Sequence, residues 1–182
     1  KEQHTALEAE ITPFLEYERY LTRHRRETFE ETLKALEQKF QKIQRKVDLR
    51  VLADADQDRF TEIASRRQTF DDHLDGYNPE FVERKIAACN GLFSDIDDEG
   101  NDLNEAQRKA VVRNDTYNQV VAAAGTGKTI ALIYRVAYLV QEQNIPPERI
   151  AALTYTRKAA EEMATRLEVQ FGITDVEVRT IH

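Results

Sequence analysis

The chain has 182 residues, 41% of them hydrophobic and 32% charged, with a formal net charge of −7. That length allows one well-buried domain or two small ones, and no run of about 18 apolar residues exists to span a bilayer, so no membrane partner is expected. The single cysteine, Cys89, excludes an internal disulfide, and no charged-then-apolar signal segment opens the chain; a reducing, cytoplasmic setting is expected.

The excess acid lies wholly in residues 1–100, which carry 23 acidic and 16 basic side chains, against 10 of each in residues 101–182. An acidic surface repels phosphate backbones, so any nucleic-acid contact is expected to be local and in the second part. Lys1 in place of Met and the abrupt close at His182 both suggest a piece of something longer.

From Phe14 onward the pattern is helical. Phe29, Leu33, Leu36, Phe40, Ile43 and Val47 recur at alternating spacings of four and three, which is a heptad seam. Pro13 fits the first turn, and the glycine- and proline-free stretch that follows predicts a helix of roughly 50 Å. Phe60, Ile63, Phe70 and Leu74 form a second stripe that ends near Gly76. Asn78 and Pro79 fit the cap and first turn of a third helix carrying Phe81, Val82, Ile86 and Leu92. A helical hairpin or three-helix layer is expected over residues 1–100, and the acidic stretch Ser94–Asp102 reads as a linker.

After the linker the pattern changes. Gln119–Ala123 predicts a strand, followed by glycines and a helix with Leu132, Val136, Leu139 and Val140 on one face, ended by Pro146 and Pro147. Ile150–Tyr155 predicts a second strand, Arg157–Phe171 an amphipathic helix through Met163 and Leu167, and Val176–Arg179 a third strand. This β-α-β-α-β order predicts an α/β fold with a parallel sheet in residues 101–182, behind the coiled-coil-like helical region of residues 1–100.

The strongest chemical signal is AAAGTGKT, Ala122–Thr129, between a predicted strand and a predicted helix. Gly125 and Gly127 let the backbone turn tightly and present N–H groups to phosphate oxygens, and the next helix adds the positive end of its dipole. Lys128 is expected to reach the β- and γ-phosphates of ATP and the Thr129 hydroxyl to bind Mg²⁺, which makes these two the catalytic candidates. Ala122, Ala123, Ala124 and Thr126 complete the cradle. The general pattern has glycine at the position of Ala122. The bland alternative is a tight strand-to-helix turn with an exposed lysine.

Taken with its surroundings, the second part resembles the UvrD/Rep-type superfamily 1 DNA helicases. LNEAQRKAVV, Leu103–Val112, is similar to their Q motif; alanine at the first loop position is normal among them, whereas Ala123 stands where they usually have glycine. LTYTRKAAEEMATRL, Leu153–Leu167, is similar to motif Ia, and Thr180-Ile181-His182 to the start of motif Ib. The helical region before them is most like the amino-terminal extension of the DNA helicase IV branch.

The resemblance implies an ATP-dependent helicase that moves on single-stranded DNA. It also implies that the acidic pair of motif II and the arginines of the second motor domain, which complete catalysis, are outside this chain, so that the chain alone is inactive. It assigns Gln107 to adenine, whose N6/N7 edge an amide can match. The plainer alternative for Gln107 is a surface glutamine on a helix. Tyr155 is implied to stack on an unpaired base, although a buried core tyrosine fits the bare sequence at least as well. Thr156, Arg157 and Lys158 suit a DNA phosphate, or simply a capped, solvated helix start. Thr180 and His182 are implied to form a further DNA-contacting pair.

Other features take plainer readings. Asp95, Asp97, Glu99 and Gly100 imitate half a calcium loop, but its twelfth position is Ala106 and its eighth Asp102. His4, His24 and His73 have no second ligand at zinc spacing. Arg23, Arg25 and Arg26 read as a solvated helix face among acids. Two other functions compete with the helicase reading: a protein-interaction module acting through residues 1–100 with a nucleotide-binding appendage, and a P-loop ATPase that is not a helicase.

Overall fold

The computed structural model describes residues 19–44, 76–94 and 103–181. Pro13, Phe14, Val47, the stripe Phe60–Leu74, residues 95–102 with their calcium-like pattern, His4, His73 and His182 lie outside the described residues. So do the side chains of Leu33, Leu36, Phe40 and Ile43, and with them most of the expected heptad seam.

The chain divides into two compact units, one of Lys1–Phe81 with Asn114–Tyr117, the other of Val82–Arg113 with Asn118–His182. In the first, helix α1 spans Arg23–Gln44. It does not continue back to Pro13, because residues 19–22 are not helical. Thr22 ends the run: its hydroxyl accepts from the Arg25 N–H at 3.3 Å, and Asp115 accepts from the Arg23 N–H at 3.1 Å. Side-chain acceptors at a helix start satisfy the donors that have no partner one turn back, and so fix where the helix begins. Arg23–Glu27 and Arg26–Glu30 pair one turn apart on the exposed face at 3.7 and 2.9 Å, as a solvated face should.

Helix α2 covers residues 76–88, so Asn78 lies inside it and is not its cap. The Asn78 amide grips Leu21 instead, accepting from its N–H at 3.1 Å and donating to its carbonyl at 2.8 Å. The Tyr77 hydroxyl donates to the Arg19 carbonyl at 2.7 Å, and Phe81 packs edge-on to Tyr20 with ring centroids 5.8 Å apart. Leu21, Phe29, Tyr77 and Phe81 are all buried.

In the second unit the order is the short helix α3 (Asn90–Ser94), α4 (Glu105–Val112), α5 (Lys128–Gln141), a 3₁₀ turn at Pro147–Arg149, β1 (Ala151–Thr154), α6 (Arg157–Phe171) and β2 (Glu177–Thr180). Its core is built around α5, which buries Ala131, Ile133, Tyr134, Val136, Ala137 and Tyr138. The buried stripe is therefore rotated from the expected one, and Leu132 stays 42% exposed. α5 also stops at Gln141, five residues before Pro146, and Asn144 turns the chain with a φ of 53°. Residues 82–94, expected in the amino-terminal extension, pack with this unit through Val82, Cys89, Leu92 and Phe93, all buried.

α6 has the expected bounds because both ends are marked chemically. The Thr156 hydroxyl accepts from the Ala159 N–H, and Gly172 closes the helix at a φ of 65° with its N–H on Glu168. Met163 and Leu167 are its buried stripe. β1 and β2 pair in parallel, Ala151 to Glu177 through Thr154 to Thr180. The sheet has two strands, not three, among the described residues. Gln119–Ala123 forms no strand and lies exposed, Val121 at 88%, since an extended apolar run becomes a strand only when a neighbour takes up its N–H and carbonyl groups.

Burial and the nearby Glu142 push the Cys89 thiol up to about 11, and burial pushes Tyr138 up to about 12. An unfolded thiol ionises near pH 8.5, so above that pH the unfolded chain loses a proton that the folded one keeps, and stability falls until the folded thiol ionises too. Urea unfolding from pH 8 to 11 is expected to show a stability loss on the order of 2 kcal/mol that is absent from the pH slope of Cys89→Ala. Equal slopes would place the thiol in a wetter site.

Candidate functional site

The loop Ala122–Gly127 has the backbone that its glycines predict. Gly125 and Gly127 adopt φ values of 76° and 80°, a region that side chains rarely enter, and α5 begins at once with Lys128. The first N–H groups of α5 have no carbonyl one turn back; the ladder opens with the Ala131 N–H on the Gly127 carbonyl at 3.0 Å. The open end of the helix thus faces the loop with its positive dipole. Lys128 curls back so that its Nζ donates to the carbonyls of Ala122 and Ala123 at 3.0 and 2.6 Å, and the Thr126 hydroxyl donates to Ala123 at 2.8 Å. Thr129 is exposed on the first turn of α5.

Gln107 reaches this loop from α4. Its Nε2 donates to the Thr126 carbonyl at 3.0 Å, while its Oε1 accepts from the Asn104 N–H at 2.8 Å. Asn104 answers by accepting from the Gln107 N–H at 3.0 Å, a reciprocal cap that locks the start of α4. The contact is close: a Cβ on Gly127 would stand 2.5 Å from Gln107 Nε2. The φ favours glycine there, and any side chain would also have to push the Gln107 amide aside.

The other candidates collect at the carboxyl edge of the sheet. Tyr155 follows β1 and is 80% exposed, so it is not a core residue. Thr156 caps α6, Arg157 and Lys158 are exposed on its first turn, and Thr180 stands opposite Thr154 in the register. The Ile181 N–H extends the ladder onto the Thr154 carbonyl at 2.9 Å. Tyr155, Arg157, Lys158 and Thr180 are brought together along this edge.

A family model described as the UvrD/REP helicase N-terminal domain matches residues 103–182. Over those residues the chain is similar to the UvrD/REP helicases. It is similar to DNA helicase IV of Escherichia coli (strain K12), 35% identical over 106 residues that make up 58% of this chain and 15% of the relative. The putative ATP-dependent DNA helicase YjcD of Bacillus subtilis (strain 168) is 37% identical over 56% of this chain and 13% of its own length. The ATP-dependent DNA helicase PcrA of the same organism is 42% identical over 44% of this chain and 11% of its own length. The chain thus spans a small part of each curated relative.

Within the helicase-family segment, two residues were missed in the sequence. Asn104 had a readable signal, since Asn-x-x-Gln is the spacing of a capping box. Arg135, whose Nη1 donates to the Val111 carbonyl at 2.6 Å, had none, because its partner is a backbone atom on another helix.

Gly125→Ala meets nothing within 4 Å and carries only the cost of its φ, whereas Gly127→Ala must also expel Gln107. Chemical denaturation is expected to find Gly127→Ala less stable than Gly125→Ala by about 1 kcal/mol, the worth of the lost hydrogen bond. Equal losses would mean that Gln107 does not lean on the loop.

Proposed function

We propose that this chain is the nucleotide-binding part of an ATP-dependent DNA helicase that moves on single-stranded DNA, with residues 101–182 beginning the first motor domain and residues 1–100 forming a helical extension. The observation that carries the reading is the loop of two left-handed glycines opening directly into α5, with Gln107 held against it. The match of residues 103–182 to the helicase-domain model and the similarity to relatives named as DNA helicases support it.

The residues present fit Mg-ATP. The turn aims backbone N–H groups and a helix dipole at one point, which suits a triphosphate. Lys128, whose Nζ donates to the Ala122 and Ala123 carbonyls, would hold phosphate oxygens in their place, and the Thr129 hydroxyl would hold Mg²⁺, which would supply charge neutralisation to the phosphates. Ala122, Ala123, Ala124, Gly125, Thr126 and Gly127 form the cradle. Each of Gln107's two bonds uses one donor or one lone pair, which leaves its amide a second N–H and a second lone pair for the adenine edge. Turnover needs in addition an acidic pair to orient water and an arginine to neutralise the transferring group, so the chain alone binds nucleotide without hydrolysing it.

Single-stranded DNA lies along the carboxyl edge of the sheet. The exposed Tyr155 ring stacks on a base, Arg157 and Lys158 meet phosphate at the start of α6, and Thr180 and His182 continue the track.

Thermal melting is expected to shift upward with Mg-ATP and Mg-ADP in the native chain and not in Lys128→Ala; a ligand at 100 times its Kd stabilises by about 2.7 kcal/mol. No shift in the native chain would count against a preformed nucleotide cradle. In fluorescence anisotropy with a single-stranded oligonucleotide, Tyr155→Ala is expected to cost about 1 to 3 kcal/mol, and Lys158→Ala to lower the salt slope by about one. Unchanged binding in both would favour a P-loop ATPase that is not a helicase.

A further inference from the structure

We propose that Arg135 is a positioning residue for base recognition: from α5 it anchors the far end of α4 and thereby fixes where Gln107 stands above the nucleotide loop. This inference rests on the ATP reading above and goes beyond it.

α4 has only eight residues, about 12 Å of helix, and two side-chain bonds tie it to the loop and α5. Near its start Gln107 donates to the Thr126 carbonyl, and at its last turn the Val111 carbonyl accepts from Arg135 Nη1 at 2.6 Å. The Val111 carbonyl is one of the last four of the helix, which find no N–H within it, and a cation there also answers the negative end of the dipole. Arg135 is itself held: its guanidinium lies over the buried Tyr138 ring, 5.6 Å from the centroid, and the Tyr138 hydroxyl accepts from Gln143 at 3.0 Å.

Arg135 follows Lys128 by seven residues, about two turns, so the two stand on the same face of α5. One helix therefore carries both the phosphate lysine and the anchor that sets the distance from that lysine to the base-reading amide. A short helix tethered at one end only can pivot, and a pivot displaces Gln107 relative to Lys128. The rival account is that Val111 and Val112, both fully buried, hold α4 by packing alone.

The test measures equilibrium binding of fluorescent ATP and GTP analogues to the chain and to its Arg135→Met, Arg135→Lys and Gln107→Ala variants. Arg135→Met is expected to lower ATP affinity about tenfold while GTP affinity stays within about twofold, the loss of one oriented amide contact. The ATP preference then falls to that of Gln107→Ala, the double variant loses no more, and Arg135→Lys, which keeps a donor, restores most of it. Equal loss for both nucleotides, or loss for neither, would overturn the proposal.

A second measurement needs no nucleotide. Hydrogen exchange of the Gln107 side-chain amide is expected to quicken in Arg135→Met while backbone amides Ile133–Val136 keep their protection; unchanged Gln107 exchange overturns the proposal. If the native chain binds neither analogue, the ATP reading fails while this exchange measurement still decides whether Arg135 positions Gln107. If Arg135→Met does not fold, Arg135→Gln, with a shorter polar head, carries both measurements.

Discussion

Helix α5 has to be two things at once, and the second unit is arranged around that constraint. Its body must be buried on several sides, while its amino-terminal turn must stay open with its N–H groups unspent. The two left-handed glycines make the change abrupt: Gly127 is left-handed, Lys128 is helical, and the first buried residue is Ala131. A gradual entry would have needed side-chain caps, which would have used the donors that the loop leaves available.

Burial of the body is shared among several neighbours. Tyr134 meets Phe171 of α6 edge-on at 5.2 Å, in the geometry that aromatic quadrupoles prefer. Arg135 takes the end of α4. Tyr138 is buried in the same region as Cys89 and Glu142; burial raises both the phenol and the thiol, and the negative charge of Glu142 adds to it in the same direction. Position after position on α5 is thus committed to a different partner, and only Leu132 among its large apolar side chains keeps substantial exposure.

The sheet shows the converse case. Of two short parallel strands joined through α6, β1 buries Ala152 but leaves Leu153 at 59% exposure, Val176 is buried just before β2, and the apolar run Val120–Val121 is exposed as well. Charge and size explain the edge better than hydrophobicity does. The strand ends turn Tyr155 outward beside Arg157 and Lys158, so an aromatic face and two cations share a surface strip on a chain whose net charge is negative. Local chemistry of that kind is what the uneven distribution of acid along the sequence leads one to look for.

How much of this was legible varied with the range of the interaction responsible. The bounds of α6 were readable because Thr156 and Gly172 act within their own helix, and the loop glycines were readable because their φ values follow from local sterics. The start of α1 was misplaced because it depends on Asp115, some ninety residues away, and Asn78 looked like a cap because the sequence does not display Leu21 beside it. The strand expected at Gln119–Ala123 failed for a related reason: strand propensity is local, but a strand exists only in a ladder. The sequence by itself determined the two-glycine turn, the helix that follows it, the parallel pairing of two later strands and the family to which the motifs point, since each rests on spacing or backbone freedom within a few residues. Only the tertiary structure decided which face of α5 is buried, that Tyr155 is outside, and that Gln107 and Arg135 hold the two ends of α4, because those depend on contacts between residues distant in the chain.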